Sequence, residues 1–465
     1  MGKTGQGGPT LQFLGATDTV TGSKFLLKSG ESNWMVDCGL FQGIKEHRQR
    51  NWSPLPFAAR DIQGVLLTHA HIDHSGYIPL LIKNGFRGHI FASEPTIELC
   101  KILLPDSGYL QEEDAKYASK KGYSRHSNAL PLYTYADAIH ALSYFQPIPN
   151  GDVTKLDNHM SVQLLKAGHI LGARFLQVTV QNGSRNRILF AGDIGRYDSL
   201  VANAPTPIHE TDYLVLESTY GDRTHPEEDI FTRMADIINA AVKDGGKVLI
   251  PAFAVGRTQD ILFIIKKLTE TGRIPADLPV YLNTPLGIDA TSIYLRFATE
   301  HKIRNGNGKS LFQAPNIYYV HDMEASKRLN AHEGPAVIIA GSGMITGGRI
   351  LHHLKAFAGN PTTRLVIVGY QADGTRGRAL LDGAKSIKIH GQPISVRCKV
   401  EHIDSLSAHG DVADIMHWLK QFDRPPRQTF LVHGEPRCSQ ALAERLRDEL
   451  HWPVYIPRYL ETVSL

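Results

Sequence analysis

His69-Ala70-His71-Ile72-Asp73-His74 constrains what this chain can fold into more than any other stretch. Three histidines and an aspartate fall within six residues, just past the apolar run Val65-Leu66-Leu67. The interior of a core strand does not tolerate that density of polar side chains; the end of a strand opening into a cleft does. Imidazole nitrogens and a carboxylate oxygen suit Zn²⁺, with Mn²⁺ or Fe as competitors. His69 and His71 are two positions apart and can project from the same side of an extended backbone. Asp73 and His74 follow after a turn and point elsewhere. One short loop could then feed two metal ions with two donors each, and the rest of the chain must supply the remainder.

Three further positions qualify. His169 lies in Ala167-Gly168-His169-Ile170-Leu171-Gly172, shortly after the strand-like Val162-Gln163-Leu164-Leu165. Asp193 lies in Phe190-Ala191-Gly192-Asp193-Ile194-Gly195, after Ile188-Leu189-Phe190. His433 lies in Phe430-Leu431-Val432-His433-Gly434-Glu435. Each sits near the end of an apolar run and close to glycine, the placement expected of site residues on a rigid scaffold. A histidine or aspartate beside glycine is also common turn chemistry, so it is the joint occurrence that argues for a shared metal centre.

The ordered set His69-x-His71-x-Asp73-His74, then His169, then Asp193 resembles the metallo-β-lactamase superfamily. Upstream, Met35-Val36-Asp37-Cys38-Gly39 resembles that family's first motif, an aspartate that braces the site. Three segments narrow the resemblance to the β-CASP nucleases. Leu216-Glu217-Ser218-Thr219-Tyr220-Gly221-Asp222-Arg223 is similar to motif A, Leu406-Ser407-Ala408-His409-Gly410-Asp411 to motif B, and Val432-His433-Gly434-Glu435 to motif C. The resemblance is closest to the prokaryotic RNA-processing relatives of the polyadenylation endonuclease subunit. It implies one zinc held by His69, His71 and His169, a second held by Asp73, His74 and His433, and Asp193 bridging both. Asp37 would orient the ligand loop from behind. Two metals about 3.5–4 Å apart can ready a nucleophilic water and neutralise phosphate charge. The leaving 3′ oxygen needs a proton, for which His409, held and polarised by Glu217, is the candidate.

A chain of 465 residues is long enough for two or three domains. Hydrophobic residues at 42% and charged residues at 21% are globular values that exclude disorder as the default. No apolar run reaches about 18 residues, so no membrane span is expected. Met1–Gly8 lacks the apolar core of a signal peptide, and no appended RNA-binding module is visible ahead of the first strand. Cys38, Cys100, Cys398 and Cys438 are scattered, without metal-binding spacing, and read as buried thiols in a reduced cytoplasm. The net charge of +4 is a mild basic excess with no basic block, so any nucleic-acid track must form in three dimensions.

Strands are expected at 11–15, 34–36, 64–67, 187–190 and 213–216, with helices between some of them. From about 222 the pattern changes. Ile230, Met234, Ile237, Ile238, Ala241 and Val242 recur at helical spacing. Strands at 247–250, 280–282, 337–340 and 365–368 then alternate with helix-like stretches, which implies βαβ units and a mostly parallel sheet. Motifs B and C follow this block yet must join a site begun before it, so the block is an insertion. The expected class is α/β. An αββα metallo-β-lactamase sandwich, begun by residues 1–221, is interrupted by an inserted β-CASP domain at 222–400 and completed by a return segment at 401–465. The resemblance places the active site in a cleft between the two domains, with RNA threading between them.

Gly341-Ser342-Gly343, opening a glycine-rich stretch after the strand at 337–340, is a candidate phosphate-binding loop. Glycines let backbone amides approach an anion, and a following helix N-terminus adds a favourable dipole. Arg257 and Arg376 could add positive charge. His89, His126, His225, His352, His353 and His402 have no ligand spacing. The implied activity is a zinc-dependent ribonuclease that cuts single-stranded RNA, as endonuclease, 5′ exonuclease or both. DNA as substrate and a homodimeric assembly stay open. The alternatives are a metallo-β-lactamase-fold hydrolase of a small thioester or lactam, and a non-catalytic RNA-binding partner subunit. The large insertion argues against the first, and the filled set of seven ligand positions against the second.

Overall fold

The computed structural model describes residues 8–121, 129–182, 184–303 and 311–465. The start of the glycine-rich N-terminus and His126 lie outside the described residues. The chain forms two compact units, the first comprising 1–197, 203–224 and 409–465 and the second 198–202 and 225–408.

The first unit is built on two seven-stranded sheets. One runs Thr462–Ser464, Thr10–Phe13, Lys24–Ser29, Ser32–Cys38, Gly64–Leu66, His89–Ala92, Phe145–Pro147, and the other Val454–Tyr455, Gln428–Val432, Tyr213–Glu217, Ser184–Phe190, Arg174–Asn182, Met160–Lys166, Val153–Lys155. Alternation explains the packing: Met160, Val162 and Leu164 are buried along their strand while Ser161 and Gln163 are half-buried. These three join Leu11, Phe13, Phe25, Val36 and Leu66 of the first sheet and Val178, Phe190, Val215 and Phe430 of the second in one apolar core. Phe190 is fully buried there. Its replacement by alanine is expected to cost about 3–5 kcal/mol, read as a lowered midpoint of denaturant unfolding.

Each sheet changes from antiparallel to parallel midway across. Ser32–Cys38, Gly64–Leu66 and His89–Ala92 run parallel, as do Ser184–Phe190, Tyr213–Glu217 and Gln428–Val432. The ligand-bearing segments lie beyond the carboxyl ends of strands in these sheets, where rigid backbone hands over to loop.

The second unit has a six-stranded sheet in the order Ile317–Tyr319, Val280–Asn283, Ala336–Ala340, Lys247–Pro251, Arg364–Val368, Lys399–Ile403, with every neighbouring pair parallel. Three of its four inner strands, those from Ala336, Lys247 and Arg364, are buried along their whole length, as strands covered on both faces must be. The helix Ile230–Lys243 opens on Asp229, whose carboxylate caps the Phe231 amide, and it buries the expected Met234, Ile237, Ile238 and Ala241. As a compact unit the second part runs to 408. Lys399–Ile403 is its edge strand, hydrogen-bonded to Arg364–Val368, and Ala408 is its last residue. The four cysteines are buried and free of disulfides, and no helix among the described residues is long and apolar enough to cross a membrane.

Candidate metal centre

His69 follows the strand Gly64–Leu66, and His71 immediately precedes the single helical turn Ile72–Ser75 that carries Asp73 and His74. The turn after His71 predicted from the spacing is therefore a short helix. Gly39 is required beneath it. A Cβ at Gly39 would lie 1.6 Å from the Asp73 carbonyl oxygen, so only hydrogen fits. His169, Asp193 and His433 follow the strands Met160–Lys166, Ser184–Phe190 and Gln428–Val432. His433 takes a positive φ of 50°, and its amide donates to Ala16 O at 2.6 Å.

Within the first unit these side chains converge into two groups that meet at Asp193. His71 Nδ1 is 3.2 Å from both His69 Nε2 and His169 Nε2, and those two nitrogens each lie 3.4 Å from Asp193 Oδ2. On the other side, His74 Nε2 is 3.2 Å from His433 Nε2 and 3.2 Å from Asp193 Oδ1, and His433 Nε2 is 3.4 Å from Asp73 Oδ2. Thus the two oxygens of one buried carboxylate face different nitrogen sets. Asp193 Oδ1 has no hydrogen-bond donor although it is sealed from solvent. A buried acceptor left this way is costly unless a cation or water completes it. The borderline-soft nitrogens and hard oxygens, in two sets sharing one carboxylate, fit a pair of zinc-like ions.

The electrostatics of three of the imidazoles agree with a ligand role. Burial, reinforced by neighbouring His74, pushes the His69 imidazole down to about 3, and burial pushes His71 down to about 4. Burial, with His409 beside it, likewise holds His169 well below its ordinary value. These rings are neutral at working pH, the form that offers a lone pair to a metal. Burial would raise Asp193, but the surrounding His433 and His74 outweigh it and keep the carboxyl well below the usual range. Burial opposes charge on His74, yet Asp193 and Asp37 together lift that ring well above its ordinary value.

A shell of hydrogen bonds orients the donors. Asp37, fully buried, accepts from the Thr68 amide at 2.8 Å and the Thr68 hydroxyl at 2.9 Å, and its Oδ2 is 2.8 Å from His74 Nδ1. Thr68 Oγ1 is also 3.1 Å from His69 Nδ1, so one Asp–Thr pair reaches both groups. Thr219 does the same for motif C: its hydroxyl donates to Glu217 Oε2 at 2.6 Å and lies 3.1 Å from His433 Nδ1. Neither threonine stands out in the sequence. Their signal is adjacency alone, Thr68 beside His69 and Thr219 two places past Glu217. Asp37→Asn is expected to weaken metal affinity about 10–100-fold, measured by competition with a chelating dye, because the Nδ1 partner of His74 becomes neutral.

His409 reaches the same cluster from motif B. Its Nδ1 is 2.9 Å from Glu217 Oε2 and 3.8 Å from Asp193 Oδ2, and its ring centre is 4.5 Å from that of His169. Glu217 Oε1 accepts from the Ile194 amide at 2.5 Å, which fixes the carboxylate. The Gly410 amide donates to Ile194 O, and Asp411 caps the helix Val412–Leu419 with Asp414 accepting in return from the Asp411 amide. Burial works against protonation of His409. Glu217 and Asp193 overcome it and raise the ring to about 9. Its side chain is 18% exposed whereas that of Glu217 is 1%, so His409 is the member of the pair that a substrate can touch.

Gly341, Ser342 and Gly343 belong to the second unit. They follow the strand Ala336–Ala340, but the next helix begins only at Ile350, and its Ile350 amide is taken by Gly341 O at 3.0 Å. The expected helix therefore does not open directly on this loop. Arg257 is buried and paired with Asp260 at 3.0 Å, and Arg376 donates to the carbonyls of Lys388, Ile345 and Thr346. Both guanidiniums brace the fold. Among the histidines without ligand spacing, His353 is buried between Asn283 and Asn330, at 2.6 and 2.7 Å.

Three family descriptions match: a metallo-beta-lactamase superfamily domain over residues 26–204, a Beta-Casp domain over 258–380, and a Zn-dependent metallo-hydrolase RNA specificity domain over 393–457. Similar proteins include Ribonuclease TTHA0252 of Thermus thermophilus, 35% identical over 93% of this chain and 95% of that protein. Transcription termination factor FttA of Cenarchaeum symbiosum is 30% identical over 98% and 71%. An RNase J-like protein of Methanocaldococcus jannaschii is 29% identical over 96% and 97%. A crystal structure of an Enterococcus faecalis protein of unknown function shares the fold with TM-score 0.53 at 13% identity, over 98% of this chain and 100% of that one. With all three domains matched and the Thermus relative aligned over nearly its whole length, the chain belongs to the β-CASP family of metallo-β-lactamase-fold nucleases and is a hydrolase.

Proposed function

We propose that the protein hydrolyses phosphodiester bonds of single-stranded RNA at a two-zinc centre, leaving 5′-phosphate and 3′-hydroxyl ends. The observation that carries this reading is Asp193, whose Oδ2 faces His69 and His169 while its Oδ1 faces His74. His69, His71 and His169 would hold one ion, and Asp73, His74 and His433 the other. When bound, the ions supply Lewis acidity towards the phosphate and acidify a water molecule that attacks phosphorus. His409 gives its proton to the departing 3′ oxygen, and Glu217 keeps that proton on the ring until then. Asp37 and Thr68 hold the His69 and His74 rings in the tautomers that leave the metal-facing nitrogens bare. The RNA specificity domain matched at 393–457 and the ribonuclease relative support RNA as the polymer.

The test compares 5′-labelled with internally labelled RNA, and with DNA of the same sequence, before and after chelation. Cleavage of RNA that chelator abolishes and zinc restores is expected, and the label comparison assigns endonucleolytic or 5′ exonucleolytic cutting. Elemental analysis of undepleted protein showing less than one metal per chain would sink the two-zinc reading. Preferential cutting of the DNA would sink the choice of polymer.

A further inference from the structure

We propose that Phe253, in the second unit, is a stacking platform for one nucleobase of the RNA substrate. The inference rests on the reading of the substrate as single-stranded RNA. Phe253 lies two residues past the carboxyl end of the strand Lys247–Pro251, on the edge of a parallel sheet where ligands of α/β units are bound. It is 37% exposed although the neighbouring Ala252 and Val255 are buried, so the ring is not part of the core.

The backbone beneath that ring is fixed. The Ala252 amide donates to Ala340 O at 3.0 Å. The Phe253 carbonyl accepts from both the Thr258 amide at 3.2 Å and the Thr258 hydroxyl at 2.7 Å. The ring rests against Gly343. A Cβ there would come within 2.5, 2.6 and 2.9 Å of three ring carbons, so the loop carries glycine where the ring packs against backbone. Gly343 is pinned in turn through its carbonyl, which accepts from Gln371 Nε2 at 3.2 Å. The Ser342 and Thr346 hydroxyls, 3.0 Å apart, remain exposed on the same loop. A rigid, exposed aromatic ring set among small polar loop residues suits a flat π-surface better than a protein side chain. Stacking on such a ring accepts any base. Gly343 thereby acquires a role other than admitting a phosphate. A side chain at 343 would strike Phe253.

The experiment uses metal-loaded full-length protein and short oligoribonucleotides in which one abasic nucleotide is walked along the chain. KM and kcat are measured for the natural protein, Phe253→Ala, Phe253→Leu and Phe253→Trp. Phe253→Ala is expected to raise KM about 5- to 150-fold, the worth of one stacked base, with the loss falling on KM rather than kcat. At one abasic position the natural protein loses a similar factor while Phe253→Ala loses little more. Phe253→Leu keeps apolar bulk for packing but should behave as the alanine variant does, and Phe253→Trp should retain the sensitivity to that abasic position. Rescue by leucine, or losses from abasic site and variant that multiply at every position, would overturn the platform and leave the ribonuclease reading standing. Failure of the natural protein to cleave RNA would overturn both.

Discussion

Asp193→Ala is expected to leave purified protein with at most one metal ion per chain and to lower RNA cleavage by about 10⁴-fold or more. Among the described residues the side chain is the carboxylate shared by the two nitrogen sets, with Oδ2 at 3.4 Å from His69 and His169 and Oδ1 at 3.2 Å from His74. Without it the two donor sets lose their common oxygen, and the cations would sit close together with no anion between them. Their contribution to transition-state charge is worth several kcal/mol, and each 1.4 kcal/mol is about tenfold in rate. Elemental analysis and labelled-RNA cleavage on one preparation check both halves. Two ions retained per chain would show that Asp193 does not bridge.

His409→Ala should behave differently. Metal content is expected to stay at the natural level while cleavage falls by about 10²–10⁴-fold, the usual worth of a general acid. Loss of a metal in this variant would make His409 a ligand instead. The pH dependence follows from the partner. A proton donor works while protonated, so its contribution is full below its pKa and is lost as pH rises through it. Glu217 and Asp193 overcome burial and raise His409 to about 9, and bound cations beside Asp193 would pull that value down. The alkaline limb of kcat is therefore expected at or below about pH 9 and absent in His409→Ala. Glu217→Gln removes the negative charge 2.9 Å from Nδ1 and should move the limb to lower pH. An unmoved limb would separate Glu217 from the acid.

Much of the site was legible because its chemistry is local. His69, His71, Asp73 and His74 lie within one loop, and Asp193 and His433 each stand just past an apolar strand. The helix Ile230–Lys243 announced itself by period, since burial on one face imposes 3.6-residue spacing. Other features had no local signature. Lys24, which composition rules place on the surface, is buried with its ammonium 4.4 Å from the Phe41 ring centre and 4.8 Å from that of Tyr77, and burial brings it down to about 8. Its Nζ donates to the carbonyl of Gly39, the residue that packs against the Asp73 backbone.

By itself the sequence determined the donor types, the strand ends that bear them and the interruption of the first domain by a parallel α/β block. Those follow from side-chain chemistry and from periods of a few residues. Only the tertiary structure decided that the two oxygens of Asp193 face opposite nitrogen sets, that Thr68 and Thr219 orient the rings, and that Arg257 and Arg376 brace the fold. It also decided that His74 meets His433 across 359 positions and that the second unit extends to 408. The physical reason is range: propensity and burial period act between neighbours along the chain, whereas a hydrogen bond or a shared ligand acts between whichever groups packing brings within about 3 Å.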